Sequence, residues 1–217
     1  MHEYHKIPSI WKRSEERPHP VLHGEFNRPE FAYLYDALWV FTEKIDGTNI
    51  RVMWDGHEVT FGGRTDRAQI PAPLVNRLNE LFGGDAGEQI FEQNFGDAPV
   101  TLFGEGYGKG IQKGGGDYLP DGVDFILFDV QVGDWLLKRE DVERVAGYFD
   151  IKVVPVYSTT TLRIMHEDMK VKITKGVGFL SHIKDGEAEG VVGTPLVPLY
   201  NRKGERVIVK LKVSDLR

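Results

Sequence analysis

Residues 41–52 read FTEKIDGTNIRV: an apolar, β-prone run, a lysine, an Asp-Gly pair and a second β-prone run. Asp-Gly between two such runs is a strong hairpin signal, so the plain reading is a tight turn with Lys44 on the surface beside it. The chemical reading makes Lys44 a nucleophile that the turn holds in place. The chain carries its own comparison, because MWDGHEV at 53–59 has Asp55-Gly56 behind Met53, where the first copy has its lysine. That second copy reads as a turn and nothing more. K-x-D-G alone arises by chance in on the order of a few percent of chains this long, so the choice depends on the rest of the chain.

Outward from this stretch, residues 38–44, 49–54 and 58–62 alternate as strands, the last two joined at Asp55-Gly56. PAPLVNRLNELFGG predicts an amphipathic helix with Leu74, Leu78, Leu81 and Phe82 on one face, Pro71 and Pro73 at its start and Gly83-Gly84 at its stop. A weaker helix is expected over 88–94, then a strand VTLFGE, a glycine-rich loop, a strand DFILFDVQV, a helix KREDVERVAGYF, a strand KVVPVY and a helix over 161–174. Strands EGVVG, VPLYN and RVIVKLKV follow, the last two closed by a turn at RKGE. Strands outnumber helices and most neighbours read as hairpin-linked, which predicts an α+β fold with antiparallel sheets and flanking helices.

The 217 residues, 41% of them hydrophobic, suffice for one large domain or two small ones. No repeat, low-complexity tract or Pro/Ser linker divides them, so a single domain over 1–217 is expected, with an irregular arm to about residue 20. Absence of cysteine excludes a disulfide framework, a thiolate metal site and a cysteine nucleophile. The start lacks the apolar core of a signal peptide, and no segment approaches the roughly 20 apolar residues of a membrane span. A soluble cytoplasmic protein with no membrane partner is expected. The net charge of −6 argues against broad coating of nucleic acid, which needs clustered Lys and Arg, and leaves a local basic groove open.

Five further elements follow Lys44 in order: GGRT with Arg64, FGEGYG with Glu105, FILFDV with Phe128, EGVV with Glu189, and KLK with Lys210 and Lys212. Together with KIDGTN they resemble the motifs of the covalent nucleotidyltransferase superfamily of ATP-dependent DNA and RNA ligases and mRNA capping enzymes. Asn49 stands where DNA ligases and capping enzymes usually have arginine, which makes the chain most similar to the phage-type RNA ligases that seal breaks in duplex RNA. The resemblance spans about residues 41–213. It implies the adenylation-domain fold, ATP with covalent AMP on Lys44, and Mg²⁺ or Mn²⁺. It also implies nucleotide contacts from Asp46, Asn49, Arg64, Lys210 and Lys212. Glu105 would bind the ribose hydroxyls, Phe128 would stack on adenine, Glu43 would help fix the base, and Glu189 would serve metal and catalysis. Phage encoding would place the protein in the host cytoplasm.

The chemistry agrees with this set. A lysine amine attacks phosphorus only when neutral, whereas an unperturbed lysine, with a pKa of about 10.4, is charged at neutral pH. Lys210, Lys212 and a bound divalent cation would disfavour a further positive charge beside them. The spacing in VIVKLKV puts both lysines on one face and Val209, Leu211 and Val213 on the other. The plain alternative is a solvated edge strand. Glu105 and Glu189 each end an apolar strand next to glycine, and Phe128 competes with Phe125, which alternation sends to the opposite face.

Other sites find no support. The glycine loop GEGYGKGIQKGGGDY fits neither GxxxxGK[ST] nor a helix-opening GxGxxG, and reads as a mobile loop carrying Lys109 and Lys113, with backbone contacts to nucleic acid open to it. The histidines lack metal-ligand spacing and no GxSxG is present. The expected function is therefore an ATP-dependent RNA ligase acting on nucleic-acid ends, RNA before DNA. Ligases of this kind usually continue past KLK into a clamping domain, so a minimal ligase, a separate clamp protein or a chain shortened at its C-terminus is expected. A DNA ligase, a GTP-dependent capping-type guanylyltransferase and a non-catalytic end-binding module stand as alternatives.

Overall fold

Alternation along the chain is realised as three β-sheets in the computed structural model, which describes residues 3–217. Two compact units share the chain. One takes residues 3–5 and Ile45–Val154, and the other takes Lys6–Lys44 and Pro155–Arg217. The exchange points, Lys44/Ile45 and Val154/Pro155, carry no linker composition, which is why neither was visible as a boundary.

The chain opens in the second of these units. Strands β1 (Trp11–Arg13) and β2 (Val21–Phe26) pair antiparallel, helix α1 (Pro29–Tyr33) follows, and β3 (Leu38–Lys44) ends on the lysine. The arm expected to be irregular thus contains a strand, and Ser9 bridges to Lys210 beyond it, with the Lys210 N–H donating to Pro8 O at 3.0 Å. A lone three-residue strand escapes periodicity because its partner lies at the far end of the sequence or across a long turn.

After Ile45 the chain builds the other unit. Its elements are β4 (Thr48–Trp54), β5 (Val59–Gly63), α2 (Ala72–Phe82), α3 (Gly84–Phe95), β6 (Val100–Gly108), α4 (Gly115–Tyr118), β7 (Val123–Val132), β8 (Trp135–Leu136), α5 (Arg139–Tyr148) and β9 (Lys152–Val153). The sheet runs β5-β4-β6-β7-β8 antiparallel, while β9 adds to β7 in parallel because α5 carries the chain back across it. Helix α2 buries Leu74, Leu78 and Phe82 as its spacing requires, and they join Ile50, Val52, Leu102, Phe125 and Leu127 in one core. Removing a side chain such as Leu78 from that core would cost about 2–5 kcal/mol.

The two Asp-Gly pairs take different structures. Asp55-Gly56 is the hairpin turn between β4 and β5, with Gly56 at φ +103° and the Asp55 carboxylate accepting from the N–H groups of His57 and Glu58, both at 2.9 Å. Asp46-Gly47 joins β3 to β4, which are not paired with each other. Gly47 is needed for close approach instead, because a Cβ there would stand 2.3 Å from Gly106 O.

From Pro155 the chain completes the second unit with β10 (Val156–Thr161), α6 (Leu162–Thr174), β11 (Gly190–Pro195) and β12 (Val209–Lys212), in the sheet order β10-β3-β11-β12. KVVPVY is split at Pro155, which has no N–H for a ladder, so β9 and β10 fall in different sheets. VPLYN is not a strand: β12 pairs with β11, and only a Tyr200–Arg206 bridge remains of the expected terminal hairpin. Trp39, Phe41, Val191, Val209 and Leu211 fill this unit's core with Leu162 and Met165 from α6. No helix of the described residues is long and apolar enough to cross a membrane.

One buried polar group ties this core to pH. The Trp11 indole donates to His166 Nε2 at 3.3 Å, so the neutral ring carries its proton on Nδ1, 3.3 Å from the Tyr35 hydroxyl. Burial first, then Lys170 and His23, push the His166 pKa below its ordinary value. The unfolded chain therefore takes up the proton at higher pH than the folded one, and stability is lost as pH falls through about 6.5. Urea unfolding should show a lower midpoint at pH 5.5 than at pH 7.5, and His166→Gln should flatten that difference.

Candidate active site

Strand register gathers the lysines. In the β3-β11-β12 ladder, Gly190 lies opposite Lys44 on one side and Lys212 on the other, so both lysines stand on one face with a glycine between them. Glu189, the residue before that glycine, closes the row. Its Oε2 accepts from Lys44 Nζ at 2.6 Å, and its Oε1 lies 2.5 Å from Lys212 Nζ. Burial would raise the Glu189 carboxyl, but Lys44 and Lys212 outweigh it and hold the pKa below the ordinary value. Lys210, one row back opposite Val192, is pushed down by burial and then by Lys212, Lys44 and Lys6. The mutual effect of clustered ammonium groups is thus visible at Lys210.

Gly190 is what allows this row. Its φ is +153°, and a Cβ there would sit 2.0 Å from Leu211 O. Val209, Leu211 and Val213 face the core as alternation requires, so KLK carries its lysines away from it.

Glu43 is not part of the row. As the residue before Lys44 it points to the opposite face, is 2% exposed, and has both oxygens engaged: Ser181 Oγ donates to Oε1 and the His182 N–H to Oε2 at 2.7 Å. From this position Glu43 anchors the 181–184 loop.

The remaining predicted residues lie in the other unit. Asn49 pairs directly with Glu105 across β4 and β6, which puts the two side chains on one face. That face is set by glycine. A Cβ at Gly104 would meet the Phe125 ring at 2.2 Å, and one at Gly106 would meet Leu74 at 2.3 Å, so both glycines take the core side and Glu105 takes the other. The Asn49 Oδ1 is buried with no hydrogen-bond partner among the described residues, an acceptor left for a ligand or solvent. Asp46 turns to the glycine-rich loop, accepting from the Gly114 N–H at 3.1 Å. That loop contains the short helix α4, contrary to the expectation of a helix-free loop, and Lys109 and Lys113 are exposed on it.

Of the two phenylalanines, Phe125 is 1% exposed and part of the core, whereas Phe128 is half-buried outside it. Arg64 is exposed just after β5. Two neighbours of Phe128 escaped the sequence reading. Asp129 is 7% exposed and accepts from the Tyr4 hydroxyl at 2.6 Å. A carboxylate inside the apolar run FILFDV was a signal for the first; nothing in the sequence pointed to Tyr4.

One sheet thus aligns a lysine, a glutamate and a second lysine, and the other large sheet presents Asn49 and Glu105 on one face. The chain belongs to the RNA ligase family, whose model matches residues 37–212. Its fold is similar to that of an RNA ligase from Naegleria gruberi. A variant of that ligase solved with ATP and manganese is 19% identical with a TM-score of 0.62, the match covering 85% of this chain and 51% of the other. An apo variant gives 19% and 0.63, covering 87% and 53%, and a variant with AMP and manganese gives 19% and 0.59, covering 85% and 52%. The chain thus spans about half the length of these ligases. No curated protein matches it significantly.

Gly190→Ala should remove the row without touching a charge. With a Cβ forced against Leu211 O, a loss of more than about 3 kcal/mol in chemical unfolding is expected, and a variant of unchanged stability would contradict this account of the EGVV motif.

Proposed function

We propose that this protein is an ATP-dependent RNA ligase that joins 3′-hydroxyl and 5′-phosphate ends. The observation that carries the reading is the Lys44–Glu189–Lys212 row, in a chain of the RNA ligase family. Lys44 Nζ attacks the α-phosphorus of ATP, the bond to the bridging oxygen breaks, and pyrophosphate leaves as the amine loses a proton, giving a phosphoramidate. AMP then passes to the 5′-phosphate, and a 3′-hydroxyl displaces it to form the phosphodiester. Before the first attack the Lys44–Glu189 pair must open, and the incoming phosphates are suitable competitors for both lysines. Lys212 and Lys210 then face the negative charge that builds on the phosphoryl oxygens.

Glu105 and Asn49 supply acceptors for ribose hydroxyls, Phe128 a ring for the base, and exposed Arg64 a cation for ribose or an RNA end. Among the described residues no three metal-ligating side chains cluster. Magnesium and manganese sites at nucleotides commonly need only one or two carboxylates besides phosphate oxygens, so Glu189 fits as the residue that would hold the ion, whose share is neutralising phosphate charge. The relatives solved with ATP or AMP and manganese support ATP and a divalent metal here. RNA is favoured over DNA by the family, and location in the cytoplasm accords with the absence of a membrane-crossing helix among the described residues.

The test is incubation with α-phosphate-labelled ATP or GTP and a divalent metal, followed by a denaturing gel and by sealing of nicked RNA and DNA. Label from ATP should stay on the protein and vanish in Lys44→Ala. Glu189→Gln and Lys212→Ala should each slow labelling by about 10²–10³-fold. Label from GTP alone would indicate a capping-type enzyme, sealing confined to DNA would indicate a DNA ligase, and no label with any nucleotide would leave an end-binding module.

A further inference from the structure

Phe128 sits at an irregularity in β7. Phe103 pairs with Asp129 and Gly104 with Leu127, so Phe128 is the extra residue of a bulge and has no partner in the ladder. A bulge re-aims a side chain but leaves its direction to whatever packs against it. Here that is Tyr4. Its ring meets Phe128 edge-on at 5.1 Å and 66°, lies 5.0 Å from Phe103, and stacks with His5 at 4.7 Å. Its hydroxyl donates to Asp129 Oδ2 at 2.6 Å, a charge-assisted bond across 125 positions of sequence. Tyr4 is 8% exposed, yet it belongs to neither hydrophobic core, and it packs on the face of the sheet that carries Asn49 and Glu105. Glu3 beside it accepts from the Asp66 N–H at 3.3 Å, two residues beyond Arg64.

We propose that Tyr4 is a positioning residue of the nucleotide site, fixing the tilt of the Phe128 ring through its own ring edge and the Asp129 carboxylate. The inference rests on the reading of Phe128 as the surface on which the base stacks. Its effect should appear in nucleotide affinity and should travel through Phe128. An unsupported ring keeps its stacking area but loses its orientation, so the energy at stake is that of one aromatic pair.

The experiment measures the dissociation constant of ATP by calorimetry in the full chain carrying Lys44→Ala, where binding is separated from chemistry. Tyr4→Leu should weaken ATP about two- to tenfold, and Tyr4→Phe, which keeps the ring, should recover most of that loss. In a Phe128→Leu background, Tyr4→Leu should add nothing further, because coupling through one contact makes the two changes non-additive. Additive losses, or ATP binding unchanged by Tyr4→Leu, would overturn the inference. Should Tyr4→Leu fail to fold, the same cycle run with Tyr4→Met, which also removes the ring, decides between the same two outcomes. A protein that binds no ATP at all overturns the nucleotide reading as well, whereas binding without Lys44 labelling in the unmutated protein overturns only the ligase chemistry.

Discussion

The carboxylate of Glu189 shared between Lys44 and Lys212 is the constraint on which the second unit depends. Two ammonium groups on one face of a sheet, one strand apart from a common neighbour, repel unless an anion stands between them. Glu189 supplies that anion beside Gly190, the position in the central strand that faces both lysines and has no side chain. The same contact specifies register: a slip by one residue would turn the lysines into the core and the valines and leucine of β12 outward. Charge pairing and hydrophobic burial therefore demand one and the same alignment of β3, β11 and β12.

The other unit solves a similar problem with glycine and a bulge. Gly104 and Gly106 let Phe125 and Leu74 press flat against β6, which forces the intervening Glu105 to the far face. The bulge in β7 then moves Asp129 out of the core phase that Phe125 and Leu127 define. Both devices convert a packing rule into the orientation of a functional side chain, so the glycines of FGEGYG and EGVV serve close packing of backbone and ring rather than a phosphate cradle.

Much of this was legible in the sequence, and the gaps have physical causes. The strand 38–44 and helix α2 were read closely because period-two and helical alternation persist over whole elements with clear stops. The facing of Lys210 and Lys212 followed from alternation alone. Reading failed where pairing, not local pattern, decides: VPLYN has strand composition, but β12 is met by β11 on one side and by Pro8 and Ser9 on the other, and β1 is too short to show a period. The loop anchored by Glu43 left no signal either, because Ser181 and His182 lie 138 and 139 positions away from it. Tyr4 could not be found because a contact across 125 positions leaves no local trace.

The interleaving of the two units has a consequence for synthesis on the ribosome. Ile45–Val154 emerges as one uninterrupted piece and carries almost everything its own sheet requires. Strand β3 emerges before it, yet both of its sheet neighbours, β10 and β11, are translated only afterwards. Until then Trp39 and Phe41, fully buried at the end, have no core to enter, and Lys44 has no glutamate beside it. The nascent chain thus holds an orphan apolar strand while the piece after it folds, a state in which unpaired edges invite aggregation. Chemical competence arrives last, when β12 threads its two lysines against β11.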